Sequence, residues 1–157
     1  MTIRTLTLAA VAALTLAPAA WSQTPAEPAP AAAAAAKAGP AAGVAAPPAG
    51  KAQIVFFRPG RFIGAAVGYK LSEGEAKLGK VSNGRYLVVT VEPGTHTFVM
   101  DFGTKGDMRM EAEPDETYYV ECGLQMGALL NHPNLIPSTK EEFERFASKG
   151  KPQKVAD

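Results

Sequence analysis

The single cysteine, Cys122, is the first residue whose chemistry needs an explanation. A lone thiol can pair with another chain or act as a nucleophile. In the run from Thr117 to Gly123, however, strand alternation places Cys122 on the same face as Tyr118 and Val120. Cysteine on an inward face behaves as a small apolar residue, and no basic neighbour in the sequence lowers its pKa. We therefore expect a free thiol that is buried and unreactive.

The two histidines, His96 and His132, are the residues that could bind a metal ion together with a carboxylate. Metal sites space their ligands recognisably, and no such cluster of Cys, His and acidic residues occurs in the sequence. His96 follows a turn on an apolar strand face, which is typical of a histidine hydrogen-bonded to nearby backbone. We therefore expect no metal site and no cofactor.

Arg58 and Arg61 flank a Pro-Gly pair and are the residues we favour for contacting a ligand. Two forked guanidinium groups in one loop suit a carboxylate or a phosphate. The alternative is that both are solvated, or paired with acids such as Glu73 or Glu75. No Ser, His and Asp arrangement and no Gly-x-Ser-x-Gly nucleophile elbow stands out, so we predict no catalytic residues and a protein that is not an enzyme.

Short strands separated by frequent turns must position these side chains. Residues 52–57 form a continuous apolar run, typical of a strand buried on both faces. Asn83-Gly84 predicts a type I′ hairpin, and Pro93-Gly94 predicts a reversal into a strand that places His96 and Phe98 on one face. Alternation in residues 108–113 and 117–123 predicts two further strands. The pattern indicates an all-β, mainly antiparallel domain, either a small sandwich or a partly open barrel.

The pattern weakens after Gly123, where prolines interrupt the apolar residues. Ser138 and Glu141 form a capping box, which predicts a short C-terminal helix. Phe143 and Phe146 would face one side of it, and we expect this side to pack on the sheets or to cover an open edge.

The first 22 residues follow the order of a cleavable bacterial signal peptide: a basic start, an apolar run, and small residues around Trp21. The apolar run is shorter than the about 20 residues that a spanning helix needs, and it meets Pro18. We predict cleavage after Ser22 and a periplasmic or secreted product. No cysteine lies at the cleavage point, so no lipoprotein anchor is expected.

Residues 23–50 are almost entirely Ala, Pro and Gly, and we interpret them as a flexible linker whose role the sequence leaves open. The predicted domain covers residues 51–148, and residues 149–157 form a loose tail. From residue 51 onward, basic and acidic residues are equal in number, which argues against nucleic acid as a partner.

The chain resembles a bacterial family known as domain of unknown function 2846. The resembling residues are Ala52 to Pro59, Gly64 to Leu71, Asn83 to Tyr86, Val91 to His96 and Thr117 to Val120. The resemblance covers about Lys51 to Gly123 and consists mostly of turns and strand cores. It implies an exported, small β domain and supplies neither an activity nor site residues.

Two functions follow as hypotheses. The first is a non-catalytic envelope module that binds another protein or an envelope polymer. The second is a carrier of a small molecule or lipid, with the ligand in the apolar interior and Arg58 and Arg61 at its mouth. The identity of the partner, the oligomeric state and the sheet topology do not follow from the sequence.

Overall fold

The structure, a computed structural model, describes residues 39–41, 43–62, 65–126, 131–149 and 151–152. Within these ranges the chain forms nine strands and one helix. They are β1 (Ala52–Arg58), β2 (Gly68–Glu73), β3 (Ala76–Ser82), β4 (Arg85–Val91), β5 (Gly94–Asp101), β6 (Lys105–Ala112), β7 (Thr117–Met126), β8 (Asn131–Ser138), α1 (Lys140–Ala147) and β9 (Lys151–Pro152). The predicted signal peptide, and the linker up to residue 38, lie outside the described residues.

The strands form two sheets, one with the order β8-β7-β1-β4-β9 and one with the order β3-β2-β5-β6. Most neighbours are antiparallel, whereas β1 is parallel to β7 and β4 is parallel to β9. The sheets pack face to face without closing into a barrel. The prediction of an all-β, mainly antiparallel domain with a short C-terminal helix is therefore confirmed, and its two sheets are consistent with a small β-sandwich.

Strand β1 lies at the centre of the five-stranded sheet and contributes to two apolar clusters. Ile54 and Phe56 point between the sheets, where Phe56 packs edge to face on Phe98 with ring centroids 5.1 Å apart. Val55 and Phe57 point to the opposite, outer face of the same sheet. All seven residues of the strand are buried, which explains why five of them are apolar.

Helix α1 covers this outer face. Phe143 is fully buried and lies within 5.5 Å, centroid to centroid, of Phe57, Tyr86 and Tyr119. The predicted apolar side of the helix therefore packs on a sheet face and not over an edge. The helix begins one residue later than expected: the cap is Thr139, whose side chain accepts a hydrogen bond from the Glu142 amide at 3.2 Å. A second Thr-x-x-Glu pattern overlaps the predicted one, which accounts for the shift.

The end of the predicted linker also packs on the outer face. Ala41 and Val44 are buried beside Tyr119, whose hydroxyl accepts from the Ala41 amide at 2.7 Å and donates to the Gly39 carbonyl at 3.3 Å. The Gln53 side chain donates to the Ala45 carbonyl at 2.9 Å. Residues 39–41 and 43–45 therefore contact the domain, where small side chains pack beside Tyr119. We call residues 39–41 and 43–45 the arm.

Two predicted turns change sheets instead of forming hairpins. Asn83-Gly84 connects β3 to β4, and these strands belong to different sheets. Gly84 has a φ of 67°, but Asn83 does not adopt the positive φ that a type I′ turn requires. Its side chain instead pairs with the backbone of Arg61. Pro93-Gly94 likewise passes from β4 in one sheet to β5 in the other.

Strand β8 was not predicted, although it forms one edge of the five-stranded sheet. It pairs with β7 from Tyr119↔Ser138 to Met126↔Asn131 and contains Pro133 and Pro137. Proline lacks an amide proton, so it is tolerated in a strand that has one neighbour. The predicted tail also differs, since Lys151 and Pro152 pair with β4.

Candidate functional site

Arg58, the first of the two candidate arginines, is buried at the end of β1. It is 3% exposed, and its guanidinium carbon lies 3.9 Å from the centroid of the Tyr69 ring. Its Nη1 donates a hydrogen bond to the Val67 carbonyl at 2.6 Å. Burial lowers the pKa of Arg58, but arginine remains charged at any physiological pH. Arg58 therefore closes the end of the sandwich and does not project toward a ligand.

The backbone of Arg61 is hydrogen-bonded to Asn83, whereas its side chain is largely exposed. Its amide donates to Asn83 Oδ1, and its carbonyl accepts from Asn83 Nδ2, both at 3.0 Å. The side chain is 75% exposed and lies 3.8 Å from a carboxylate oxygen of Glu121. Burial raises the pKa of Tyr69, and the charges of Arg58 and Arg61 both oppose that rise. The structure thus packs Arg58 on the Tyr69 ring and leaves the side chain of Arg61 accessible.

A cleft lies between the C-terminal half of α1 and the turns that follow β1 and β3. Its volume is about 420 Å³, and it is lined by Phe57, Pro59, Gly60, Gly84, Glu121, Glu142, Arg145, Phe146 and Lys149. We call it the helix cleft. Phe57 and Phe146 form its floor, with ring centroids 5.3 Å apart and planes tilted by 31°. Its rim carries charges of both signs.

Two backbone turns form one wall of the helix cleft. A Cβ built on Gly60 would lie 3.9 Å from the Gly84 Cα, so the two turns are in close contact. The hydrogen bonds between Asn83 and Arg61 hold them together. Two residues after Gly60, the side chain of Phe62 is 98% exposed. The segment that begins at this wall therefore also exposes an aromatic side chain to solvent.

Cys122 lies between the sheets, on the same face as Tyr118 and Val120. It is a free, buried thiol. Burial raises its pKa strongly, and the nearby charge of Arg58 opposes this only in part. The thiol is therefore neutral near pH 7 and cannot act as a nucleophile in this conformation.

His96 connects three parts of the chain at the opposite end of the sandwich. Its Nδ1 lies 2.5 Å from a carboxylate oxygen of Glu73, and its Nε2 lies 2.8 Å from the Glu92 carbonyl. The ring stacks on Phe98, with the planes 16° apart. The second histidine, His132, is exposed on β8. His96 thus has the backbone partner expected from the sequence and, in addition, a carboxylate.

Among the described residues, no three Cys, His, Asp or Glu side chains lie close enough together to hold a metal ion. In the same part of the chain, no helix is both long and apolar enough to cross a membrane.

The helix cleft was missed by sequence reasoning, although three of its components gave signals. Pro59-Gly60 and Asn83-Gly84 were identified as turns, and Phe146 as part of an apolar helix side. What the sequence does not reveal is that two turns from different sheets meet beside the end of the helix.

The comparisons with known proteins bear on the family alone. No curated protein matches the chain. A family model described as "Protein of unknown function (DUF2846)" matches residues 48–133, from just before β1 into β8. This match confirms the resemblance drawn from the turns and strand cores. Because it covers more than half of the 157 residues, the chain belongs to the DUF2846 family.

Proposed function

We propose that this protein is an exported, non-catalytic module of the bacterial envelope that binds another protein or an envelope polymer through the helix cleft. The observation that carries the proposal is the composition of the cleft: an aromatic floor of the buried Phe57 and the partly buried Phe146, surrounded by accessible charges. Binding surfaces concentrate their energy in aromatic and arginine side chains near such a centre. Phe57 and Phe146 supply the centre, and Arg145 supplies an exposed guanidinium.

Cys122 and His96, two of the reactive side chains, are engaged in the fold, which supports a non-catalytic role. The Cys122 thiol is kept neutral by burial. Both ring nitrogens of His96 contact acceptors of the protein itself. A general base or a nucleophile must instead be free to reach a substrate.

The filled interior favours the surface cleft over a carrier function. The space between the sheets holds large, fully buried side chains, including Phe56, Phe98 and Met100. Arg58 and Tyr69 close the end at which a ligand was expected to enter. A carrier would have to displace this packing, and a ligand that is retained through purification would be detected as added mass in native mass spectrometry.

Export is tested by the mass of the processed protein. We expect the protein released from cells by osmotic shock to begin at Gln23, as determined by intact mass spectrometry. A protein that retains residues 1–22 in the cytoplasmic fraction would contradict this part of the proposal.

Binding is tested by photo-cross-linking in cells. A photoreactive residue is placed at Arg61 or Lys149, beside the helix cleft, or at Glu111 as the control, since Glu111 is exposed on β6 in the other sheet. We expect a discrete adduct from the two cleft positions and none from Glu111. Equal labelling at all three positions, or no adduct from a folded and exported protein, would refute a binding role for the cleft.

A further inference from the structure

The helix cleft has an apolar floor that is narrow. Phe57 is 1% exposed, and its ring is enclosed by Phe143 and Phe146. Phe57 therefore offers no open ring face, and the accessible part of the floor belongs to the partly buried Phe146. One apolar side chain of a ligand can pack there, whereas a sugar ring stacks on an open aromatic face, which Phe57 does not offer. The wall formed by Gly60 and Gly84, which we call the glycine wall, leaves room for the backbone of an extended chain to approach.

The part of α1 that lines the cleft consists of Glu142, Arg145 and Phe146, and Lys149 follows the helix. Glu141 and Glu144, the other two acidic residues of α1, are not part of this lining. Two of the three acidic residues of the helix therefore lie outside the cleft.

The two carboxylates in the cleft are already engaged. Glu142 accepts a hydrogen bond from the Ser138 hydroxyl at 2.6 Å, and this bond, followed by one from the Thr139 amide, lowers the pKa of Glu142. The Glu121 side chain is 25% exposed and faces Arg61.

The most accessible charges around the cleft are cationic. Arg61 is 75% exposed and Arg145 is 77% exposed, and Lys149 is also exposed. Arg61 lies 3.8 Å from a carboxylate oxygen of Glu121, and Arg145 lies 3.9 Å from one of Glu142, whose side chain is 50% exposed. The three cations outnumber these two carboxylates by one, and this excess of positive charge favours a negatively charged ligand.

We propose that the helix cleft binds an acidic segment of another polypeptide, with one aromatic or large aliphatic side chain inserted beside Phe57 and Phe146. Carboxylates of that segment pair with Arg145 and Lys149, and with Arg61 across the glycine wall. This inference rests on the proposed binding function and adds the chemistry of the partner.

The experiment uses the processed protein, labelled with ¹⁵N, and four defined probes at low salt. The probes are acetyl-Glu-Phe-Glu-amide, acetyl-Lys-Phe-Lys-amide, acetyl-Glu-Ala-Glu-amide and chitotetraose. We expect the first peptide to shift the amide signals of Gly60, Gly84 and Lys149. Because exposed ion pairs each contribute modestly, it should bind about tenfold more tightly than the lysine peptide. The alanine peptide should bind more weakly than the first, because it lacks the anchor.

Matched variants test whether the cations around the cleft cause the preference for the acidic peptide. The double variant Arg145→Glu, Lys149→Glu should bind the lysine peptide in preference to the acidic one. Arg109→Glu, an exposed arginine on β6 of the other sheet, should leave the preference unchanged.

Three results would overturn the proposal in distinguishable ways. If both charged phenylalanine peptides shift the cleft signals equally, the acidic preference is wrong and the binding function stands. If chitotetraose alone binds there, the ligand is a sugar polymer. If no probe shifts these signals at about 10 mM, the cleft is not a peptide site; cross-linking then decides separately whether it contacts any partner.

Discussion

Truncation of Phe143 tests whether α1 is an integral part of the domain. The side chain is fully buried and lies between 5.1 and 5.9 Å, centroid to centroid, from four other aromatic rings. Deleting a buried phenylalanine costs about 3–5 kcal/mol, because it removes apolar contacts and leaves a cavity. The helix has eight residues, too few to be stable without its contacts to the sheet. We therefore expect Phe143→Ala to reduce the free energy of unfolding by about 4 kcal/mol.

The measurement is urea unfolding of the processed protein, monitored by far-UV circular dichroism. A domain of this size has a total stability of about 5–15 kcal/mol, so the variant should remain folded with a much lower midpoint. If the helix and the arm detach before the sandwich unfolds, the m-value falls as well, because less surface is exposed in the main transition.

Phe62→Ala is the matched control, since it removes the same side chain from a position that is 98% exposed. It should change stability by no more than about 0.5 kcal/mol. A Phe143→Ala variant whose midpoint and m-value equal those of the control would refute the docking of α1 on the outer face.

Three further predictions concern other contacts. Gly106→Ala should lower the free energy of unfolding by about 1–3 kcal/mol or more in the same assay, because its Cβ would collide with the Pro133 carbonyl oxygen. Gly39→Ala is the control: its Cβ would meet no atom within 4 Å, so the free energy of unfolding should not change. Cys122 should resist Ellman's reagent at pH 8 in the native protein and react after unfolding, because burial raises the pKa of its thiol; rapid labelling of the native protein would contradict its burial. Ser138→Ala should raise the pKa of Glu142 toward the ordinary 4.5, measured by NMR titration. The pKa of Glu142 is lower in the folded than in the unfolded protein. Its contribution to helix stability is therefore present above about pH 4.5 and is lost as the pH falls through the folded pKa. An unchanged titration of Glu142 in the variant would show that the Ser138 contact is absent.

Side chain alternation made the inward faces of the strands predictable. Phe98 and Met100 on β5, and Met108 and Met110 on β6, lie between the sheets as their spacing indicates. These assignments depend on the period of a strand, which neighbouring strands do not alter.

Features that depend on distant parts of the chain were not predictable. A two-residue turn such as Asn83-Gly84 is compatible with a hairpin or with a change of sheet, and the sheet to which each strand belongs decides between them. Strand β8 has prolines that argue against a central strand, and only its edge position makes them acceptable. The helix cleft unites Gly60, Gly84 and Phe146, and no local pattern connects them.

The burial of Arg58 could not be predicted from the sequence either. It follows an apolar strand and precedes a Pro-Gly pair, so its position suits either a loop or the last residue of the strand. The register Arg58↔Arg85 keeps it in β1, on the same face as Phe56. Its position in the strand, and not its type, determines that it is buried.

The central position of β1 has a consequence for the order in which the chain can fold. Its parallel neighbour is Thr117–Glu121, while its antiparallel neighbour is β4. During synthesis the N-terminal part of the chain emerges first. The apolar segment of β1 is therefore exposed long before the residues that cover its second edge have been made. Such non-local pairing is slow, because a long loop must close before the contact forms. Until Thr117–Glu121 are available, β1 is an unprotected, aggregation-prone strand, and a factor that holds the chain unfolded during synthesis would protect this segment above all others.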